Sequence, residues 1–173
     1  MSQLEVAVSG SRTVRDRGYV WAILDYEILE WTLAGYEISL RIGDAMGVDT
    51  HAIAWARARR VRHTIYFASG PGFEQYRLGI ALLRENGADD YSDCESAIPV
   101  SDWATSGSRS GTIRNSSMLT GADILIAIHD GDSPGTRDAM AQARMRSVFI
   151  HYWSYPPVAA ENSALGYPAE VSA

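Results

Sequence analysis

Ile124-Leu125-Ile126-Ala127-Ile128-His129-Asp130-Gly131-Asp132-Ser133-Pro134-Gly135-Thr136-Arg137-Asp138 carries the pattern on which the fold turns. The apolar run Ile124 to Ile128 reads as a buried strand, and Ala139 to Arg144, just beyond, reads as a helix. Between them lies a turn of small and polar residues. Free backbone N–H groups at a helix N-terminus carry partial positive charge, and small residues let a phosphate or ribose approach them. The same residues also suit an ordinary strand-to-helix turn, so this segment alone leaves both readings open.

Working outward, the pattern repeats. Leu4 to Val8 is an apolar strand ending in Ser9-Gly10-Ser11-Arg12, and a helix is expected from about Gly18 to Trp31. Glu37 to Ile42 alternates, with Ile38, Leu40 and Ile42 on one face and Glu37, Ser39 and Arg41 on the other, which predicts a half-exposed strand. It ends at Gly43-Asp44-Ala45-Met46-Gly47-Val48-Asp49, before a helix from about Thr50 to Arg60. A third strand, Thr64 to Ala68, precedes a helix from about Phe73 to Asn86. Ala88 to Gly107 reads as a long loop with room for a short strand near Ala97 to Val100. A helix over Gly111 to Leu119 and a last strand over Val148 to Trp153 complete the set.

Strands alternating with helices predict an α/β, Rossmann-like fold: a mostly parallel sheet flanked by helices on both faces. The expected organisation is one domain over 1–153 and a C-terminal tail over 154–173, rich in Pro, Ala, Gly and Glu. Three small-residue turns then fall at the carboxyl ends of strands, where ligands bind in such sheets.

Composition narrows the function classes. All 15 basic side chains are arginine, which removes Schiff-base lysines and a P-loop lysine. Cys94 is the single cysteine, so an intramolecular disulfide is excluded. His51, His63 and His151 lack metal-ligand spacing, and no metal is expected. No Gly-x-Gly-x-x-Gly spacing is present, and no redox cofactor is implied. No apolar run is long enough to span a bilayer and no signal segment opens the chain, which predicts a cytoplasmic protein without a membrane partner. The net charge of −6 argues against nucleic acid as a partner.

The ordered set Gly10-Ser11-Arg12, Gly43 to Asp49, Asp102-Trp103, Arg114-Asn115 with Met118, and Ser133-Pro134-Gly135-Thr136 resembles the SLOG superfamily. Within it, the chain is most similar to the YspA/YpsA-related branch, related to the lonely-guy phosphoribohydrolases and to DNA-processing protein A. The resemblance implies a nucleotide-like small-molecule ligand, a homodimer, and hydrolysis of the N-glycosidic bond of a nucleoside 5′-monophosphate. By motif position, Arg114 resembles the catalytic arginine of lonely-guy enzymes, and Asp138 their catalytic glutamate. A carboxylate there stabilises the positive ribose or orients water, and the arginine holds phosphate or leaving group. The implied ligand-binding residues are Gly10, Ser11, Arg12, Gly43, Asp44, Asn115, Ser133, Gly135 and Thr136. The chain departs from the enzyme motif in two ways: Asp replaces Glu at 138, and Asp130-Gly131-Asp132-Ser133 stands in place of a Pro-Gly-Gly stretch.

Each residue also has a plain structural role open to it. Arg12 and Arg114 suit ion pairs with Asp44 or Asp49, and Asp49 suits a cap on the Thr50 helix. Asn115 suits a turn or a base contact. Trp103 reads as a loop anchor before a stacking platform, and His129 as a packed histidine before an acid–base group. Two functional alternatives accompany the hydrolase: a non-catalytic sensor or sequestering protein using the same pocket, and single-stranded DNA binding, which needs a basic groove with stacking aromatics.

Overall fold

The computed structural model describes residues 2–68, 70–87 and 90–156. Six parallel strands form one sheet in the order β4-β3-β2-β1-β5-β6, with β1 Ser2–Gly10, β2 Tyr36–Gly43, β3 Arg62–Phe67, β4 Glu95–Pro99, β5 Ile124–His129 and β6 Phe149–Ser154. The helices are α1 Arg17–Leu33, α2 Val48–Arg59, α3 Gly70–Glu85, α4 Trp103–Ser106, α5 Ser110–Leu119 and α6 Pro134–Met145. This is the Rossmann-like α/β layout that the alternation of elements predicts.

Side-chain alternation along the central strands builds two cores. Val6, Val8, Ile126 and Ile128 pack on one face with Val20, Leu24 and Ile28 of α1 and Ala52 and Trp55 of α2. Ala7, Leu125 and Ala127 pack on the other with Met118 and Leu119 of α5 and Ala139, Met140 and Ala143 of α6. Both faces of β1 and β5 are therefore buried, as a parallel sheet between helix layers requires.

Three expectations need correction. The polar face of β2 is only partly left in water: Glu37 is exposed, but Ser39 and Arg41 are half-buried. Arg41 is half-buried, donating to Glu5 Oε2 at 2.8 Å, Tyr66 Oη at 2.9 Å and the Thr120 carbonyl at 2.7 Å. The short strand expected near Ala97 to Val100 is the edge strand β4, which begins earlier, at Glu95, and the Ala88–Gly107 stretch also holds the short helix α4. The start of β4 escapes hydropathy because its anchor is charged. Glu95, whose side chain is shielded from water, accepts from Arg57 Nε at 2.6 Å, from His63 Nε2 at 2.8 Å and from the Tyr76 hydroxyl. Finally, Ser154 belongs to β6, and the Tyr155 amide donates to the His129 carbonyl at 2.8 Å, so the body runs past 153. The rest of the tail, 157–173, lies outside the described residues.

The chain runs outward from β1 to β4 on one side of the sheet, then returns to place β5 and β6 on the other side. The order reverses between β1 and β5, and a doubly wound sheet opens a crevice beyond the carboxyl ends at such a point. Gly10 and Gly43 end β1 and β2, and Gly131 follows β5, so all three lie at this edge.

Candidate functional site

A cleft of about 510 Å³ opens at the switch point. Its walls come from the turn after β1 (Gly10, Arg12, Thr13), the turn after β5 (Asp130, Asp132, Ser133), the start of α6 (Pro134, Gly135, Asp138), α5 (Gly111, Thr112, Arg114, Asn115) and Trp103. A smaller cavity of about 260 Å³ adjoins it and shares Arg12, Ala45, Trp103 and Arg114, with Asp44, Met46 and Ala68 completing its wall.

The start of α6 follows from local chemistry. Ser133 is the N-cap and Pro134 the first helical residue, the position where a missing N–H costs nothing. The Ser133 hydroxyl accepts from the Thr136 amide at 3.4 Å and from its hydroxyl at 3.1 Å. Thr136 is buried and spent on the cap, so the expectation that its amide faces a ligand is not met. Gly135 differs: its amide has no partner among the described residues, and open space lies where a Cβ would be.

The turn before α6 is organised by Asp130. Burial pushes its carboxyl pKa up, but the Thr13 hydroxyl, the backbone amides of Asp132 and Ser133, and Ser11 outweigh that, holding it well below the usual carboxylate range. Oδ1 accepts from the Asp132 amide at 2.9 Å and the Ser133 amide at 2.8 Å. Asp130 is therefore a built-in brace between the β1 and β5 turns. Ser11 works beside it: fully buried, it donates its amide to the Ile128 carbonyl at 2.9 Å and accepts the Asp130 amide at 3.0 Å. It ties loops together and does not line the cleft.

Arg114 and Asp138 both line the cleft, from α5 and α6, and are not paired directly. Asn115 joins them. Its Oδ1 accepts from Arg114 Nη2 at 3.1 Å, and its Nδ2 donates to Asp138 Oδ2 at 2.8 Å and to the Gly135 carbonyl at 3.2 Å. Asp138 Oδ2 also accepts from Gln142 Nε2 at 2.9 Å. Gln142 carries no motif signal in the sequence, because only the helical i,i+4 relation brings it to Asp138.

Arg114 is itself clamped. Its side chain is 9% exposed, with Nη1 3.0 Å from Asp44 Oδ1 and 3.7 Å from Asp49 Oδ2. Asp44 accepts the Ala68 amide on its other oxygen at 3.1 Å. Asp49 does not cap its helix. Gly47 stands at the N-cap, and the buried Asp49 carboxylate turns back to the Ala45 amide at 3.2 Å, with Oδ1 unpartnered among the described residues. Burial pushes the Asp49 carboxyl up to about 6, against the pull of Arg114. Gly43 explains how this cluster fits: an added Cβ would sit 2.4 Å from Asp49 Oδ2 and 2.9 Å from Arg114 Cζ. Gly10 likewise clears space for Val48 and for the Ile128 carbonyl.

Two residues depart from their plain readings. Arg12 is exposed at the seam between the two cavities, and its guanidinium has no hydrogen-bond or ion-pair partner among the described residues. Trp103, at the first position of α4, is 43% exposed and lines both cavities, so it is not a buried anchor. His129 is packed: buried, with Nε2 3.3 Å from the Ser133 carbonyl and its ring against Tyr152.

Residues 4–69 match the model of the YspA, cpYpsA-related SLOG family, bearing out the resemblance read from the motifs. That span covers the β1 and β2 turns. The chain is 28% identical over 144 residues to the Gene 61 protein of Mycobacterium phage D29, covering 83% of this chain and 90% of that protein. Its fold is similar to DNA processing protein A from Helicobacter pylori, described for a unique single-stranded DNA binding mode. The TM-score is 0.54 at 18% identity, covering 92% of this chain and 68% of that one. The expectation drawn from net charge, which argued against nucleic acid as a partner, is thereby overturned: a protein of this fold binds single-stranded DNA. Net charge sums the whole surface, whereas a strand meets only a local groove. No helix among the described residues is long and apolar enough to cross a membrane.

Proposed function

We propose that the cleft binds a nucleotide or nucleotide-derived small molecule through its phosphate and holds it without cleaving it. The observation that carries this reading is the division between the two arginines. Arg12 presents to the cleft a guanidinium with no hydrogen-bond or ion-pair partner among the described residues, and its planar fork matches phosphate oxygens. The unpartnered Gly135 amide, at the positive end of α6, supplies a second donor on the opposite wall. Asp132, exposed on the same rim, is an acceptor for ribose hydroxyls.

Arg114 is poorly placed to act on a leaving base, because two carboxylates already balance its charge. Asp138 accepts from two side-chain amides, neither of which relays a proton. These engagements favour a sensor or sequestering role over N-glycosidic hydrolysis. A second reading, single-stranded nucleic-acid binding, is favoured by one specific pair: exposed Trp103 and the exposed cation Arg12 on the wall of one cavity, a stacking surface with a cation.

The test is to incubate the protein with a mixture of nucleoside mono-, di- and triphosphates, recover it by gel filtration, and analyse both fractions by mass spectrometry. A retained, intact nucleotide is the expected result. Release of free base would overturn the binding-only reading in favour of the hydrolase. A salt-dependent shift with an oligonucleotide and no retained mononucleotide would favour the second reading, and retention of nothing would refute both.

A further inference from the structure

The smaller cavity adjoins the cleft. The two share Arg12, Trp103, Ala45 and Arg114 as a common wall. We infer that the smaller cavity is a nucleobase subsite floored by Trp103, and that the full site takes two nucleotide units joined by a phosphodiester astride Arg12. The inference rests on the nucleotide reading of the larger cleft and extends it.

Four features support it. A flat aromatic side chain with close to half its surface open is a stacking face for any base. Met46, 62% exposed, adds an apolar, adaptable wall to the same cavity. Asp44 lines it too. Its two oxygens accept one hydrogen bond each, from Arg114 and from the Ala68 amide, and a carboxylate has acceptor capacity beyond that for a base amino group. Arg12, at the seam and without a hydrogen-bond or ion-pair partner among the described residues, stands where an anionic link between two units would pass. A lone mononucleotide would use one side of this seam and leave the other in water.

The test uses the full chain in titration calorimetry with three probes: AMP, 5′-phosphorylated diadenylate, and a ten-residue oligoadenylate. The diadenylate should bind about tenfold or more tightly than AMP, the size of one base–aromatic stack. In Trp103→Ala that preference should fall below about threefold, while Trp103→Phe should retain most of it, since phenylalanine keeps a stacking face. Equal binding of AMP and diadenylate, or an undiminished preference in Trp103→Ala, would overturn the inference and leave the one-nucleotide reading standing. Failure of both AMP and diadenylate to bind would refute the nucleotide reading itself. The decanucleotide separates the sources of the ligand. Competition with diadenylate identifies a single strand, its exclusion identifies a free dinucleotide, and either outcome supports the two-unit site.

Discussion

Replacing Asp49 by asparagine should stabilise the protein at neutral pH. Asp44 and Asp49 share one buried cation, Arg114, with a weaker pull on Asp49 from the exposed Arg12, so the buried groups carry an excess negative charge beneath the cleft. Asp49 bears the cost: it is 2% exposed, Oδ1 has no partner among the described residues, and burial raises its carboxyl from 3.8 to about 6. A raised carboxyl means that the folded state binds more protons than the unfolded state between those values. Stability therefore falls as pH rises from about 4 to about 6, and the penalty is complete above that. A carboxyl raised from 3.8 to about 6 corresponds to roughly 3 kcal/mol at most, less the cost of seating a new amide in a buried site. Urea unfolding of the native protein and Asp49→Asn from pH 4 to 8 measures this directly. The variant should gain about 1–3 kcal/mol at pH 8 and converge with the native protein near pH 4. A variant that is destabilised at pH 8, or a stability difference that does not vary with pH, would refute the charge-excess explanation.

Arg114→Met leaves both carboxylates buried without their cation and should cost about 3–5 kcal/mol at pH 8, less at pH 5, by the same unfolding assay. Gly43→Ala places a methyl 2.4 Å from a carboxylate that is already clamped, and should lower stability by about 1–3 kcal/mol while leaving the far-UV circular dichroism unchanged. Glu95 is raised by burial but lowered further by His63, Arg57 and Tyr76, to about 2. Its stabilisation should be present above about pH 4.5 and fade as pH falls towards 2, and Glu95→Gln should remove that acid-limb dependence in a pH titration of stability.

The strand–turn–helix at Ile124 to Arg144 is legible because its signals are local: an apolar run, a cap, a proline at the first helical turn. Arg114, Asn115 and Asp138 are legible only through the family resemblance, which implies that they share a site, and all three line the cleft. What eludes the sequence is set by tertiary contact. Ser11 and Thr136 look like ligand contacts in one dimension but are consumed by Asp130 and Ser133. Gly43 looks like a ligand-approach glycine, whereas the space beside it belongs to Asp49 and Arg114. The start of β4, at Glu95, hides because charge pairing, not hydropathy, holds it. Trp103 hides because no periodicity tells an anchoring tryptophan from an open one; only its exposure decides.

The central claim is that a phosphate sits between Arg12 and the Gly135 amide. Titrating isotope-labelled protein with AMP and following backbone amide resonances tests it most directly. The expected result is a large, saturable shift of the Gly135 amide, with an affinity that Arg12→Ala weakens by about tenfold or more, the loss of one charge-assisted contact. An unmoved Gly135 resonance at saturating nucleotide, or an affinity indifferent to Arg12→Ala, would contradict it.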